Sequence, residues 1–418
     1  MATDQAPATR GRPGSISPSS GVARLIAAGR RPSLTCRAFL ASRLIVLLAG
    51  VGGVLTVAKH AGANVTTALA HQLGPVGNVL AGSVDRFDAV NYLAIAAHGY
   101  SALGAKGTAF YPFYPYCIRL LGVVTGSDVL AGVLVSAASF ATALVLLHRL
   151  TELELGRPAA DATVLLLAFA PLSFFFTAIY TESLFLLLSV GTLVAVRRER
   201  WMLAGILGAL AAVTRPTGIL LAVPIAVGVI RRRRRLHPQG LWSLGAPAAL
   251  GSYLALLAAA GYSWMAPFHA EANWYRINDG PLFGVAAALL DAIRGVVAVG
   301  QGESIYQPTK FGPLSSDVQS VVLFAVLVIC GATLVRCFRS LPLEYGAYAA
   351  VTLTMVLSSS TFGQPLASLD RYALTIFPLW MVAGAWVAKR GLQRPAAVVG
   401  SILLVFYTVQ FSSWSFIA

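Results

Sequence analysis

The feature that most constrains this chain is a series of long apolar segments separated by short breaks that carry arginine. Only 11% of the residues are charged, whereas a soluble protein of this length carries about 25%. Apolar segments of about 20 residues are long enough to cross a bilayer as helices. The pattern therefore predicts an all-α, polytopic membrane protein.

We predict about eleven membrane-spanning helices. Their approximate bounds are 39–58, 128–148, 159–177, 181–197, 201–214, 216–231, 241–262, 319–338, 343–358, 371–388 and 395–415. Helices near Thr214–Pro216 are expected to be broken or re-entrant. Residues 1–37 are rich in Ser, Pro, Gly and Arg, which predicts a disordered basic arm rather than a cleavable signal peptide. Residues 38–418 are expected to form a single transmembrane domain.

The basic residues predict the orientation. With the N-terminus in the cytoplasm, 22 of the 31 Lys and Arg residues fall on the cytoplasmic side, as the positive-inside rule requires. The long loops 59–127 and 263–318 then lie outside, together with ten of the 16 acidic residues. Topology, and not nucleic-acid binding, thus explains the net charge of +15. We expect a multi-pass protein of the plasma or inner membrane with an extracytoplasmic site, which argues against nucleotide-sugar and ATP chemistry.

Two further patterns concern the cytoplasmic side and the cysteines. The run Arg231–Arg235 is expected to set topology, with a contact to anionic lipid as the alternative. None of the four cysteines forms a C-x-x-C pair. Cys330 and Cys337 would be separated by roughly 10 Å of helical rise, too far for a bond. We expect neither a disulfide nor a thiolate metal site.

The strongest candidate for chemistry is the segment "SVDRFDAVNYLAIAAHGY" at residues 83–100. If it is helical, Asp85, Asp88 and Tyr92 share one face. An outward-facing carboxylate at the mouth of a bundle suits a general base that takes a proton from a hydroxyl. Asp85 has the alternative role of capping the helix N-terminus. His98 is a weaker candidate for substrate binding.

Two aromatic segments are candidates for substrate binding. "GTAFYPFYPYCIRLLG" contains Tyr111 and is either a platform for a sugar or lipid head group or an interfacial aromatic belt. "FAPLSFFFTAIYTESLF" leads to Tyr180 and Glu182 at a predicted helix start. Glu182 could bind substrate or merely complement the positive end of its helix.

Two arginines are candidates for binding the phosphate of a donor. Arg215 lies between apolar segments in "TRPTGILLA", where an arginine is costly and indicates function, unless it extends to lipid head groups. Arg371 follows Asp370 in "SLDRYALTIFPLW" and could bind a phosphate through paired N–H groups. Asp370 is a further candidate for substrate binding.

Taken together and in order, these segments resemble the PIG-V family (GPI mannosyltransferase 2 type, glycosyltransferase family 76) in its bacterial branch. The segments are "FDAVNYLAIAAHGY", "AFYPFYP", "FAPLSFFFTAIYTESLF", "TRPTGILLA" and "DRYALTIFPLW". The likeness runs from about Asp85 to Trp380. The family's Trp-Asp pattern reads Phe87-Asp88 here, and its Arg-Ser-Asn-Gly-like stretch reads Arg215-Pro216-Thr217-Gly218. Its Asn-Pro-Ala stretch reads Ala170-Pro171-Leu172.

The resemblance implies the GT-C fold and a polyprenyl- or dolichyl-phosphate mannose donor. It also implies mannose transfer to a lipid-linked glycan or glycolipid on the outer face, with the acidic catalytic residue, here Asp88, in the first large outer loop. One base with a phosphate clamp at Arg215 and Arg371 favours inversion in a single displacement. No metal is required, although Asp85 and Asp88 could hold a divalent ion.

Three alternatives stay open from the sequence. One is a transporter or flippase for a polyprenyl-linked or anionic substrate, which predicts ionisable residues in mid-span and two related halves. Another is an enzyme of the same fold that transfers a different sugar. The third is an accessory subunit with a decayed site, which the departures at Phe87 and Pro216–Thr217 favour slightly.

Overall fold

The chain is described here by a computed structural model that covers residues 33–61, 73–234, 237–274, 276–309, 312–361, 363–415 and 417. Within these residues the protein forms 17 α-helices. They are α1 (Leu34–Ala61), α2 (Gly74–Ala81), α3 (Asp88–His98), α4 (Phe113–Thr125), α5 (Asp128–Leu155), α6 (Arg157–Ala168), α7 (Glu182–Arg197), α8 (Trp201–Ala212), α9 (Ala222–Arg233), α10 (Gly245–Ala259), α11 (Ala266–Ala270), α12 (Pro281–Gly300), α13 (Ser316–Ser340), α14 (Leu343–Leu357), α15 (Leu369–Thr375), α16 (Phe377–Lys389) and α17 (Gln393–Ser412). The predicted all-α class is confirmed.

The segments between helices contain four short strands: β1 (Arg276–Asn278), β2 (Tyr306–Thr309), β3 (Gly312–Leu314) and β4 (Ser359–Thr361). β1 pairs antiparallel with β4, with Arg276 opposite Thr361. β2 pairs with β3 as a local hairpin. The β1–β4 pair fastens the second long loop to the segment that follows α14.

Six helical segments among the described residues are long and apolar enough to cross a membrane, judged by length and composition. They are Leu34–Thr56, Asp128–Leu155, Pro238–Ala259, Pro281–Gly300, Ser316–Ser340 and Gln393–Ser412. Five coincide with predicted spans. The count of eleven is not confirmed, because the other six predicted spans correspond to helices of at most 16 residues, the length of α7. Those short helices lie among their neighbours, with α7 between α5 and α8 and α16 against α6.

The start of the domain also differs from the prediction. Helix α1 begins at Leu34, so the last four residues assigned to the arm are helical. The rest of the predicted arm, residues 1–32, lies outside the described residues.

The break between α6 and α7 shows how a short helix is tolerated in an apolar bundle. Pro171 follows the end of α6, and Ser173–Phe176 forms a 3₁₀ turn. Irregular backbone in an apolar region needs partners for its carbonyl groups. Arg43 of α1 supplies them: it donates to the carbonyl oxygens of Ser173 at 2.8 Å and Ala168 at 3.2 Å, and to the hydroxyl oxygens of Ser173 and Thr177, each at 2.6 Å. We call Arg43 and these three residues the Arg43 cluster.

The first and last residues of helix α7 give names to two regions of the bundle, the Glu182 end and the Arg197 end. Charged residues at the Arg197 end pair with one another. Arg197 Nε donates to Glu154 Oε1 at 2.7 Å, and Arg231 pairs with Glu344. Arg232 lies 3.5 Å from Glu344 and 3.6 Å from Glu199. Most of the predicted arginine run therefore binds carboxylates of the protein itself, while its last member, at position 235, lies outside the described residues.

The second long loop contains a 20-residue apolar helix, α12, that the prediction of loop 263–318 did not include. A Cβ atom at Gly284 would lie 2.8 Å from the carbonyl oxygen of Leu357, where α14 ends, and one at Gly295 would lie 2.3 Å from that of Asp317 in the first turn of α13. Both contacts are at the Glu182 end, because Leu357 precedes β4 and α13 begins there. Helix α12 therefore packs against the end of α14 and the start of α13.

Candidate active site

A cavity of about 310 Å³ opens at the Glu182 end of the bundle. Its walls come from α3, the start of α7, the break after α8, the loop before β1, and α15. Segments from both long loops and from two helix breaks therefore meet in one place. Seven of the ten residues predicted for the site line it: Asp88, Tyr92, Tyr111, Tyr180, Glu182, Arg215 and Arg371.

Asp88 is presented to the cavity by a strained turn. It is the first residue of α3, and Phe87 before it has φ of 53°, which is unusual for a residue with a side chain. The Phe87 ring packs against Phe411 and Trp414, with ring centroids 5.6 Å and 5.3 Å away. The Tyr180 hydroxyl accepts a hydrogen bond from the Asp88 N–H at 3.2 Å and donates to the Arg86 carbonyl oxygen at 3.2 Å. Packing and hydrogen bonds together fix the turn that aims Asp88.

Arg215 is positioned by the break that the sequence predicted. Helix α8 ends at Ala212, and Arg215 has extended backbone with φ of −150°. Pro216 then begins a 3₁₀ turn, as its fixed φ allows. The Arg215 side chain is thereby directed to the start of α7. Arg371 reaches the same place from α15, where Ser368, with φ of 68°, precedes the helix.

The charges form an alternating chain across the floor of the cavity. Arg371 Nη1 lies 3.5 Å from Asp88 Oδ2, and Arg371 Nε lies 3.6 Å from Glu182 Oε1. The same Glu182 oxygen lies 3.0 Å from Arg215 Nη1. The Glu182 side chain is only 2% exposed, while that of Asp88 is 26% exposed. Of these two carboxylates, Asp88 is therefore the one that a substrate can reach.

Three buried atoms of these charged side chains make no hydrogen bond to the part of the protein that the structure describes. They are Glu182 Oε2, Arg215 Nη1 and Arg371 Nε. Buried polar atoms are nearly always hydrogen-bonded, and each exception requires an explanation. These unsatisfied atoms lie directly behind the cavity wall and mark the charged cluster as a site whose polar groups the described protein does not fully pair.

The pKa of Asp88 is raised above its usual value, chiefly because the carboxyl group is buried. The Arg371 guanidinium opposes this rise by lowering the pKa, and the charge of Glu182 adds to it. A carboxylate with a raised pKa is a stronger proton acceptor once ionised. The environment of Asp88 thus suits a general base better than that of an exposed aspartate.

Aromatic rings also line the cavity. The Tyr92 ring contacts those of Phe110 and Tyr114 edge-on, with centroids 5.0 Å and 5.2 Å away. Tyr111 packs against Tyr253 with a centroid separation of 5.3 Å. Rings beside carboxylates and arginines suit a ligand with apolar faces and polar edges, such as a sugar.

Among the cavity residues that were not selected from the sequence, three have charged or phenolic side chains: Arg276, Glu271 and Tyr372. Arg276 and Glu271 belong to the second long loop, and the β1–β4 pairing brings Arg276 to the cavity. Tyr372 directly follows Arg371, so the prediction of Arg371 could have drawn attention to Tyr372. A charged and aromatic stretch of the second long loop, residues 269–276, was the signal for the other two.

Three predicted residues do not line the cavity. Asp85 precedes α3, so the prediction that one helical face carries Asp85 and Asp88 is wrong; its Oδ1 lies 3.2 Å from Arg86 Nη1. His98 is exposed at the last residue of α3, roughly 15 Å of helical rise from Asp88. Asp370 accepts a hydrogen bond from the Arg371 N–H at 2.8 Å. It does not line the cavity beside Arg371, because adjacent residues on a helix face different directions.

Arg86, the remaining charge of the original segment, has a structural position. It donates to the carbonyl oxygen of Ser412 at 3.1 Å, and its guanidinium lies 4.7 Å from the centre of the Trp414 ring. An arginine at a helix C-terminus satisfies carbonyl groups there and complements the dipole. The Asp85–Arg86 pair thus joins the first long loop to α17.

Among the described residues, no group of three or more His, Cys, Asp and Glu side chains could hold a metal ion. Asp85, one of the two aspartates considered from the sequence for a divalent ion, pairs with Arg86.

The sequence was also compared with known families and proteins. The model of the family "Mannosyltransferase (PIG-V)" matches residues 72–232. This confirms the predicted resemblance over those residues. The matched range contains six of the cavity residues predicted from the sequence, and Arg371 lies outside it.

Curated relatives match over a similar part of the chain. GPI alpha-1,6-mannosyltransferase 2 of Rattus norvegicus is 34% identical over 166 residues, which are 36% of this chain and 33% of the relative. The Mus musculus protein of the same name is 34% identical over 152 residues, 34% of this chain and 30% of the relative. The chain thus matches about a third of the length of these relatives.

Two solved structures of the Archaeoglobus fulgidus oligosaccharyltransferase are also similar. The apo form has a TM-score of 0.44 and 15% identity, and the alignment covers 89% of this chain and 56% of that chain. The complex with an inhibitory peptide and a dolichol-phosphate has a TM-score of 0.38 and 12% identity over 88% of this chain and 56% of that chain.

Proposed function

We propose that this protein is an inverting mannosyltransferase of the GT-C type. In this proposal it transfers mannose from polyprenyl-phosphate mannose to a glycolipid or lipid-linked acceptor. The observation that carries the proposal is the cavity in which an accessible carboxylate, Asp88, lies 3.5 Å from a guanidinium that is linked through Glu182 to a second one. The family match over residues 72–232 supports the sugar and the class of reaction.

The proposed reaction is a single displacement. A hydroxyl oxygen of the acceptor attacks C1 of mannose while Asp88 takes the hydroxyl proton. The bond between C1 and the phosphate oxygen breaks, and the phosphate leaves with the bonding electron pair. Attack from the face opposite the leaving group inverts the anomeric carbon, so a β-linked donor gives an α-mannoside.

The leaving group needs charge stabilisation rather than a proton. A phosphate monoester has a second pKa near 6, so the product is close to a dianion at neutral pH. Arg215 and Arg371 approach each other through their shared partner Glu182 and retain N–H groups without hydrogen-bond partners in the described protein. Both guanidinium groups line the cavity and would bind the phosphate oxygens as negative charge develops. The proposed reaction uses only side chains of this protein. Measurement of the transfer rate during titration with a divalent ion tests whether a metal contributes.

The location of the site supports a lipid-linked donor. The cavity lies at one end of an apolar bundle, where a head group can enter while its hydrocarbon stays in lipid. The basic residues of the breaks gather at the Arg197 end, away from the cavity. With the positive-inside rule, this arrangement supports a cytoplasmic N-terminus and an extracytoplasmic site.

The test uses membranes or purified full-length protein with labelled polyprenyl-phosphate mannose and a lipid-glycan extract. We expect the wild type to transfer label and Asp88→Asn to lose about 10²- to 10⁴-fold in rate, the usual contribution of a general base. Asp291→Asn is the matched control, because Asp291 pairs with Arg294 on α12 outside the cavity. Its rate should equal that of the wild type.

Two results would contradict the proposal. Equal transfer by Asp88→Asn and wild type, at equal amounts of folded protein, would remove Asp88 as the base. Movement of intact donor lipid across a vesicle bilayer without formation of a mannosylated product would instead establish a transporter.

A further inference from the structure

Three guanidinium groups surround one aromatic ring at the cavity wall. The Cζ atoms of Arg215, Arg276 and Arg371 lie 4.8 Å, 5.5 Å and 5.6 Å from the centre of the Tyr372 ring. Like charges gathered around one ring repel one another unless carboxylates compensate them. The distribution of carboxylates among the three arginines is therefore informative.

The carboxylates do not serve the three arginines equally. Arg215 has Glu182 at 3.0 Å, and Arg371 has both Asp88 and Glu182 within 3.6 Å. Arg276 makes no ion pair within 4.0 Å and no side-chain hydrogen bond in the part of the chain that the structure describes. Glu271 also lines the cavity, but its carboxylate is not within 4.0 Å of the Arg276 guanidinium. Arg276 is thus the cavity arginine whose charge is left for a ligand.

The backbone holds Arg276 firmly in this position. Arg276 begins β1 and pairs with Thr361 of β4, which also lines the cavity. The face of the Tyr372 ring supports its guanidinium from α15. Two elements distant in sequence therefore fix one unpaired cation at the cavity wall.

We propose that Arg276, supported by Tyr372, forms a subsite that binds the phosphate group of a substrate. This inference rests on the proposed function and deepens it. A guanidinium presents paired N–H donors that match two phosphate oxygens. Arg215 and Arg371 are partly neutralised and stabilise the charge that develops on the leaving group. Arg276 binds charge that is already present on the substrate.

The electrostatic environment of Tyr372 agrees with a site for negative charge. Burial alone would raise its pKa, yet the pKa is lowered, because Arg276, Arg215 and Arg371 favour the ionised phenol. The same positive potential that favours a phenolate favours a phosphate.

Two substrates could supply the phosphate, the donor or a phosphate-bearing acceptor. Binding measurements separate them without requiring turnover. The probes are citronellyl phosphate for the donor, glycerophosphoinositol for the acceptor, and methyl α-mannoside as an uncharged reference. Affinity is measured on full-length protein by ligand-dependent thermal stabilisation.

We expect Arg276→Gln to weaken binding of one phosphate probe by about tenfold or more, since hydrogen bonds between charged groups are the strong ones. Arg276→Lys should keep part of the affinity, and binding of methyl α-mannoside should be unchanged in both variants, which also reports on folding. Arg294→Gln is the matched control, because Arg294 is 75% exposed on α12. Its affinity should equal that of the wild type.

The pattern of loss identifies the source. Loss confined to citronellyl phosphate assigns the subsite to the donor, and loss confined to glycerophosphoinositol assigns it to the acceptor. Wild-type affinity of Arg276→Gln for both phosphates would overturn the inference even where mannosyl transfer is observed. Absence of mannosyl transfer by the wild type would instead contradict the proposed function, while the binding result would still stand.

Discussion

Arginines occur in two different settings in this bundle. In the Arg43 cluster, four hydrogen bonds of 2.6–3.2 Å join one guanidinium to two carbonyl and two hydroxyl oxygens at the end of α6 and in the break that follows it. At the cavity, Arg215 and Arg371 face carboxylates at 3.0–3.6 Å yet retain N–H groups without hydrogen-bond partners in the described protein. Arg43 thus has both terminal nitrogens of its guanidinium bonded to neutral groups, whereas Arg215 and Arg371 lie in an incompletely paired cluster of charges at a cavity.

This comparison predicts the largest effect for the cavity. Arg371→Gln should reduce kcat/KM for the donor by about 10²- to 10³-fold, the usual cost of removing one group that stabilises developing charge. Arg215→Gln should behave similarly. Steady-state kinetics with labelled donor measures both. Unchanged donor kinetics in either variant would remove that arginine from the site.

The converse holds for the Arg43 cluster. Arg43→Gln should leave carbonyl and hydroxyl groups of Ala168, Ser173 and Thr177 without their donors, at a cost of about 1–3 kcal/mol for each buried group. We expect a clearly lower Tm in detergent, with kcat/KM per folded molecule nearly unchanged. A large kinetic loss at an unchanged Tm would break the distinction between the two settings.

A smaller effect should appear in the pH profile. Asp88 must be ionised to accept a proton, so the acidic limb of kcat/KM follows its pKa, which is raised mainly by burial. Arg371 lowers that pKa and Glu182 raises it. Arg371→Gln should therefore move the limb to higher pH, and Glu182→Gln should move it to lower pH. Arg371→Lys keeps the charge and should leave the limb near its original position.

If the acidic limb moved in the same direction in both variants, or moved in neither, the limb would not follow an Asp88 pKa set by these two charges. Transfer measured at low donor concentration across the acidic range gives the required profile.

The smallest effect is expected at Tyr180. Tyr180→Phe removes the hydroxyl that bridges Asp88 N–H and the Arg86 carbonyl oxygen, and each such hydrogen bond contributes about 1 kcal/mol. We expect kcat to fall by about three- to tenfold with little change in KM for the donor. Tyr116→Phe is the control, because Tyr116 is exposed on α4. Equal rates for both variants would show that packing of Phe87 alone aims Asp88.

Much of the candidate site could be predicted from the sequence because polar residues are conspicuous in an apolar chain. Asp88, Glu182, Arg215 and Arg371 each interrupt or flank an apolar segment, where a charge is costly without a role. Seven of the ten predicted residues line one cavity. The departure at Phe87 also has a local explanation, since its ring packs on Phe411 and Trp414.

The number of spans was less accessible. Helices such as α6 and α8 are too short to cross a bilayer unaided, and their lengths depend on breaks that only packing makes tolerable. The Arg43 cluster is one such device: it joins residues more than 120 positions apart. Hydropathy reports the apolar content of a segment, but not the partner that satisfies its broken backbone.

The sequence by itself determined the helical class and the difference between long loops and short arginine-bearing breaks. It also determined which polar residues an apolar bundle would not carry without reason. Tertiary structure decided which of these residues meet. It assigned Asp85 to Arg86 and left Asp88 to the cavity, because α3 begins only at Asp88. It also brought Arg276 to Tyr372 by pairing β1 with β4. Composition and local pattern fix what each segment must bury or expose, but contacts between distant segments follow from packing of the whole chain.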